Sequence, residues 1–444
     1  SAEFGYNNIL FLTGTVRKDW FSTLDPDLND ILYPSVGTSF VFSDAFELPT
    51  FISFGKLRAS YAEVGNSTVG PYSILNTYSL SGAPHLNTTM ASFSSAMGQG
   101  GSIPNKALQP LKVKELEFGL DMQFFEGKLG LDLTYYKQNT ENDQLRAQVS
   151  RASGFGNVIV NAGELENKGI ELLITGKPIS GDISWDVSLN LAHNKNKVIS
   201  LLDPKNPKEE LIVEEPRSRN AFIKHIEGYP FGMITGRVQR RAPDGSPVFF
   251  SDGRPVGSPG YEIIGNGVPD VTGGLNNAIS WKGFNLSALI DFKFGGDILS
   301  GTNMRLTGAG LHKQTLIGRE GEAPLTVEGV TEVGKDASGQ PIYEPFALTL
   351  TPVQAQSYWN SVQGEANGVT DMFLYDASFI KLRQVTLGYN FPASLLGNTP
   401  IRNASLSFVA RNLAILYRDT ENIDPESTYT SSNGQGLDYF GFPS

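Results

Sequence analysis

Apolar and polar residues alternate along much of this chain, and the pattern is sharpest from Lys112 to Asn139. In the first arm Leu116, Phe118, Leu120, Met122 and Phe124 fall on one side, with Glu117, Gly119, Asp121 and Gln123 on the other. The second arm sets Leu129, Leu131, Leu133 and Tyr135 against Gly130, Asp132, Thr134 and Tyr136. A period of two means extended strands, because successive side chains point to opposite faces. Between the arms, Glu126-Gly127 reads as a tight hairpin turn, glycine supplying the positive φ. That turn pairs Phe124 with Leu129 and brings both apolar rows to one face. A membrane barrel wall has this character, apolar toward lipid and polar toward a wet lumen. One sheet of a soluble β-sandwich also alternates, so the hairpin alone leaves both readings open.

The same pattern recurs on either side. Asn7–Phe21 sets Leu10, Leu12 and Val16 against Thr13, Thr15 and Arg17. Val36, Thr38, Phe40 and Phe42 alternate next, and Leu57, Ala59 and Tyr61 oppose Lys56, Arg58 and Ser60. Gly169–Lys177 and Trp185–Leu191 form a pair around Ser180-Gly181-Asp182. Residues 272–294 repeat the first hairpin, with Lys282-Gly283 placing Trp281 opposite Phe284. Phe379–Phe391 and Ile401–Arg418 end the series. In the former, Val385, Leu387 and Tyr389 share parity with Lys381 and Arg383, so either a bulge shifts the register or those cations lie at headgroup level.

The connections are alternately short and long, as in outer-membrane barrels with short periplasmic turns and long external loops. Strands must run up and down in turn. Trp185–Asn194 and Leu275–Trp281 therefore need 199–268 wholly on the outer side, or an even number of strands within it. Eleven wall strands are counted in this way. An odd wall with two bare edges does not stand in lipid, so a partial barrel is expected. The long segment 297–370 contains a helix: Thr351-Pro-Val-Gln354 has the form of a capping box with proline at the first helical position.

Composition narrows the chemistry. Charged residues make up 18% of 444, aromatics 11%, and there are 48 glycines, which suits long strands and glycine-rich loops. A net charge of -11 without a basic run argues against nucleic acid as a partner. With no cysteine there is neither a disulfide framework nor a thiolate metal site. His85, His193, His225 and His312 lie in separate segments, and the acids at 25–30 match no calcium-ligand spacing. No run of about 18 apolar residues occurs, so no transmembrane helix is expected. No nucleophile with a base, no metal cluster and no phosphate loop is found, so the chain does not read as an enzyme, and no cofactor is expected.

Several blocks carry a resemblance. They are YPSVGTSFVFSDAF (33–46), KLRASYAEVGN (56–66), NAGELENKGIELLITGKPI (161–179), WDVSLNLAHNKNKVISL (185–201), IIGNGVPDVTGGLNNAISWKGFNLSALI (263–290), ASFIKLRQVTLGYNFP (377–392) and NIDPE (422–426). In this order they resemble the C-terminal barrel half of SusC/RagA-type TonB-dependent outer-membrane transporters of Bacteroidota. The resemblance implies an all-β transmembrane antiparallel barrel, this chain supplying roughly strands 11–21 of about 22. The plug, the first half of the barrel, the TonB-binding segment and the last strand would lie outside residues 1–444. Regions 199–268 and 297–370 would be large extracellular loops. The family's acidic stretch ahead of IIGN is reduced here to Asp252-Gly253, so no calcium site is carried over.

The function implied is active import of large oligomeric nutrients, glycans or peptides, across the outer membrane, energised by TonB and capped by a SusD-like lipoprotein. The partners would be that lipoprotein, TonB, outer-membrane lipid and the oligosaccharide or peptide ligand. A SusC-like barrel serving as a docking platform in a larger outer-membrane complex is the alternative. Tyr72, Tyr358 and Trp359 are candidates for contact with substrate or lid, by stacking on sugar rings; packing of loops against the rim is the plainer use of such aromatics.

The strand order predicts sidedness. Single cysteines at Gly127 and Lys282 should resist a membrane-impermeant thiol reagent on intact cells, whereas Ser94 and Gly334 should react. Labelling of position 127 or 282 from outside would overturn the strand directions.

Overall fold

In the computed structural model twelve strands form one sheet whose spatial order is their order along the chain. The structure describes residues 1–67, 69–75, 78–80, 91–93, 102–149, 155–161, 163–201, 210–214, 221–364, 368–397, 400–427 and 435–438. The wall begins with β1 (Ala2–Tyr6), β2 (Leu10–Trp20), β3 (Asp30–Val41) and β4 (Ile52–Asn66). It continues with β5 (Leu111–Phe124), β6 (Leu129–Glu141), β7 (Glu164–Ile179) and β8 (Ile183–Ser200). The last four are β9 (Val271–Trp281), β10 (Phe284–Phe294), β11 (Phe379–Asn390) and β12 (Ser405–Arg418). Every neighbouring pair is antiparallel.

The hairpin register is the one expected: Phe124 faces Leu129, Leu120 faces Leu133, and Trp281 faces Phe284. Glu126 and Gly127 have φ of 58° and 81°, and Lys282 and Gly283 have 45° and 89°, the positive pair that a type I′ turn requires. The count of eleven strands is corrected to twelve. Asn7 and Asn8, expected inside a strand, instead have φ of 49° and 57° and turn the chain from β1 into β2. Asparagine tolerates that conformation, so the turn carries no glycine to mark it.

The two faces of this sheet differ in kind. On one, apolar side chains stand bare: Val36 is 50% exposed, Phe118 49%, Leu387 52% and Phe408 71%. Burying such a side chain is worth about 1.5–3 kcal/mol, so a row left in water would forgo a large share of a fold's stability. Hydrocarbon is the solvent in which that face is stable, which decides for a membrane wall over a sandwich. From Phe124 to Lys114 the strand climbs about 25 Å at ~3.4 Å per residue and a tilt of 40–45°, the height of an apolar band. Phe51, Phe124 and Phe125 cluster at its turn end, as do Phe284, Tyr389 and Phe391.

The parity conflict in β11 is resolved by a bulge. Leu289 faces Gln384 and Ile290 faces Leu382, leaving Arg383 as the extra residue. The shift sends Val385, Leu387 and Tyr389 outward while Lys381 stays inward.

The long connections fold on their own at the other end. Between β8 and β9 the described residues 210–214 and 221–268 stay out of the wall, since β8 pairs directly with β9. They build a four-stranded sheet from Glu210–Glu214, Ala221–Ile226, Met233–Gly236 and Glu262–Asn266. Thr326–Lys335 and Pro341–Thr349 form another sheet with Val248–Phe249. The helix Pro352–Ser361 has its capping box, Thr351 accepting from the Gln354 amide and Gln354 reaching back. Ile223, Ile234, Leu299, Met304, Val362, Phe373 and Leu437 make one core there, fully buried. Apolar residues are thus exposed on the wall and buried in the loops. Ser94 lies outside the described residues, and Gly334, near the end of the strand Thr326–Lys335 and opposite Ile342, has open space beside its Cα.

Two substitutions test the facing. Leu133→Lys, mid-wall on the apolar face, should destabilise the barrel by about 2–4 kcal/mol in lipid, whereas Asn190→Lys on the inner face should cost about 1 kcal/mol or less. Urea titration of the full-length protein in vesicles, followed by heat-modifiability, reads the difference. Equal effects would mean the faces are reversed or both wet.

Candidate functional site

The inner face is lined with charges held in place by the strands around them. Lys56 and Asp121 are cross-strand partners on β4 and β5, with Nζ 3.1 Å from the carboxylate. Arg58 reaches further, over β5 to Asp132 on β6 at 2.8 Å. Its path crosses Gly119, where a Cβ would lie 2.7 Å from the guanidinium, so glycine is required by the bridge as well as by the pattern. The carboxylates Asp121 and Asp132 are therefore paired across the sheet as well as wetting the lumen.

A second cluster joins the wall to the outer shell. Lys381, 5% exposed, places Nζ 2.5 Å from Asp424 and 2.6 Å from Glu426. Arg383, the bulge residue, bridges Asp291 of β10 at 2.5 Å and Glu426 at 2.5 Å. Burial disfavours the charged form of Glu426, but Arg383 and Lys381 outweigh it and hold its carboxyl below the ordinary range. Both acids come from the 422–426 block that the sequence singles out. That block is fixed further by Ile423, 2% exposed, and by Asn422 donating to Asn303 at 3.2 Å. Asn303 in turn donates to the Glu421 carbonyl at 2.7 Å and to the Tyr375 hydroxyl at 3.0 Å.

The three aromatic contact candidates lie apart in environment. Tyr72 has φ of 64° and is 72% exposed, its ring available to a ligand or partner. Trp359 is buried, and its indole N–H donates to the Ile317 carbonyl at 3.0 Å. Tyr358 packs edge-on against it, and burial raises its phenol above the usual range. Helical spacing alone could not separate the two, because both follow the same cap. Trp359 also edges a cavity of about 380 Å³ shared with Thr315, Arg319 and Gln356. A larger one, about 780 Å³, opens between Arg237, Arg240, Phe250 and Glu332, neighbours that local sequence pattern does not bring together.

His225 is wholly buried against Phe231, and its Nδ1 accepts from the Gly232 amide at 3.3 Å. Burial lowers it to about 4, so it is a neutral packing residue. Asp252 caps its own turn and pairs with Arg254 at 2.7 Å, with Gly253 at φ 88°. Among the described residues no group of three or more His, Asp and Glu is placed to hold a metal ion.

The sequence profile described as TonB dependent receptor-like, beta-barrel matches residues 1–310. TonB-dependent receptor P3 of Formosa agariphila is 26% identical over 99% of this chain and 43% of its own length. TonB-dependent receptor SusC of Bacteroides thetaiotaomicron is 24% identical over 65% of this chain and 27% of its own. Among solved structures, the RagAB peptide importer in its closed-closed state superposes with a TM-score of 0.74 at 20% identity, over all of this chain and 45% of that one. The open-open state gives 0.71. This chain spans less than half the length of these relatives.

The ion cluster at Lys381 makes a prediction. Lys381→Met removes the buried cation from Asp424 and leaves Glu426 to Arg383 alone, and should cost about 3–5 kcal/mol. It should release 419–427 to protease, and adding Asp424→Asn and Glu426→Gln should restore much of the protection. The sign with pH follows from the lowered Glu426: protection is complete above about pH 4.5, its ordinary value, and is lost as pH falls through the depressed one. Unchanged proteolysis of Lys381→Met would show that the cluster does not hold the segment.

Proposed function

The chain belongs to the TonB dependent receptor-like β-barrel family of the outer membrane, and from that premise we propose that it forms wall and outer shell of an active importer. The cargo is a large oligomer, a glycan or a peptide, and the energy comes from TonB. The observation that carries this reading is the two-faced wall: apolar residues bare on the outside, Lys56, Arg58, Asp121 and Asp132 lining the inside. A wide polar interior suits a bulky hydrophilic solute, and the folded shell around the mouth is large enough to receive a capping partner. A SusD-like lipoprotein fills that role, meeting the shell built from 199–268 and 297–370. Tyr72, exposed at the loop end, is the ligand- or lid-contact residue best placed among the three aromatics.

The wall needs completion. Strands β1 and β12 are the edges of the sheet, and among the described residues neither has a sheet partner on its outer side. Hydrocarbon supplies no hydrogen bonds, so further strands of the same barrel pair with both edges and a plug domain occupies the lumen. In that arrangement transport requires the plug to move, which separates it from passive diffusion.

The test uses cells carrying the full-length protein and labelled oligosaccharides and oligopeptides of graded length. Uptake should fall to background when TonB is deleted or the proton-motive force is collapsed. Uptake that persists at the same rate would indicate an open pore. Binding at the cell surface without uptake in TonB-competent cells would favour the docking role.

A further inference from the structure

We propose that the lipid-facing side of β6, β7 and β8 binds a phosphate-bearing glycolipid headgroup of the outer leaflet through Lys168, Lys195 and Lys197. The inference rests on the wall assignment and not on transport. On the apolar face, Leu133, Leu172 and Leu191 form one cross-strand row, and Tyr135, Ile170 and His193 form the next toward the loop end. The row after that is Lys137, Lys168 and Lys195, each directly opposite its neighbour. All three are exposed. Lys197 lies one step further out, opposite Glu166.

Like charges placed directly opposite on one face of a sheet repel, and a sequence normally avoids them. The remaining rim cations follow that rule. Lys18 pairs with Asp30 at 2.7 Å, Lys112 with Glu63 at 2.7 Å, and Lys114 with Glu141 at 2.6 Å. In the lysine row a single acid, Glu166, takes Lys137 at 2.7 Å and Lys168 at 3.6 Å. Glu164 lies opposite Glu141 beyond the row and accepts from Asn139. Lys195 and Lys197 have no acidic partner among the described residues. Four cations around one acid leave an excess of positive charge.

Position selects the occupant. The row faces the bilayer rather than the lumen, directly above the apolar band, at the end where the long loops emerge. Strands about 4.8 Å apart put the three ammonium groups within about 10 Å, a span that one or two phosphates bridge. A lipid-anchored phosphate is held at this height by its own acyl chains, whereas a soluble anion is not. Phosphate there relieves the repulsion along the row and fixes the barrel's depth at the outer leaflet, as basic clusters do at anionic membrane surfaces.

The test reconstitutes full-length protein in nanodiscs containing lipopolysaccharide, phosphatase-treated lipopolysaccharide or phosphatidylcholine alone, and measures retained lipopolysaccharide. The triple variant Lys168→Gln, Lys195→Gln, Lys197→Gln should weaken retention on the order of 100-fold, about fivefold per lysine. Arginine at all three positions should preserve it, and Lys112→Gln should leave it unchanged. Heat-modifiability of each variant reports folding, and TonB-dependent uptake is read separately, so failure here is distinct from failure of the transport reading. Equal retention by the glutamine variant, or equal binding of phosphatase-treated lipopolysaccharide, would overturn the proposal. Displacement by millimolar inorganic phosphate would overturn the lipid assignment in favour of a soluble anion.

Discussion

Hydrocarbon offers no hydrogen-bond partner, and most of this structure follows from that one fact. Each backbone group at membrane depth must find its partner in a neighbouring strand, so the strands are long and join in chain order. Tight turns at one end keep successive strands adjacent. Their positive φ at Glu126-Gly127 and Lys282-Gly283 matches the right-handed twist of the wall. The side chains then sort themselves. Those facing lipid are apolar, and those facing inward are free to carry charge, provided the charges meet. Gly119 shows how tightly the two requirements mesh, since its missing side chain lets Arg58 reach Asp132.

The same fact moves the protein's core. A wall one sheet thick buries little against itself, so its apolar residues remain bare toward lipid. The closely packed residues are in the outer connections, where Phe373, Met304 and Ile234 come from segments far apart in the chain. Wall and shell must be joined, and at β11 the joint is ionic. A fully apolar joint there would place greasy surface at the mouth of a wet channel. Lys381 and Arg383 instead bind Asp424 and Glu426, a contact that tolerates the wet boundary and demands one geometry. Buried ion pairs add little to stability but penalise misplacement heavily.

The wall was legible in the sequence because its signal is local. Alternation over ten residues gives the face, and an X-Gly pair gives the register, as Phe124 opposite Leu129 shows. The cap on Pro352–Ser361 was legible for the same reason, its three determinants lying within four residues. Three things were not. The β1 hairpin turns on two asparagines, so it lacked the glycine that marks the others. The bulge at Arg383 left an ambiguity of parity that only pairing with β10 could settle. The shell was opaque because its contacts join distant residues: Asp424 finds Lys381, and Trp359 finds Ile317, through tertiary packing that no period records.

That division runs through the side chains as well as the backbone. Most of the wall is specified within single hairpins; the β10–β11 register and the Arg58–Asp132 bridge are exceptions, each joining strands of different hairpins. Inner charges of the wall pair across it, Lys56 with Asp121 and Arg58 with Asp132, while Glu115, Glu117 and Glu171 on the same face make no ion pair among the described residues. Exposed Tyr72 and the cavities beside Arg237 and Trp359 lie in the connections between wall strands, not in the wall itself. The shell is joined to the wall through Lys381, so Asp424 and Glu426 take their places from the strand that carries it.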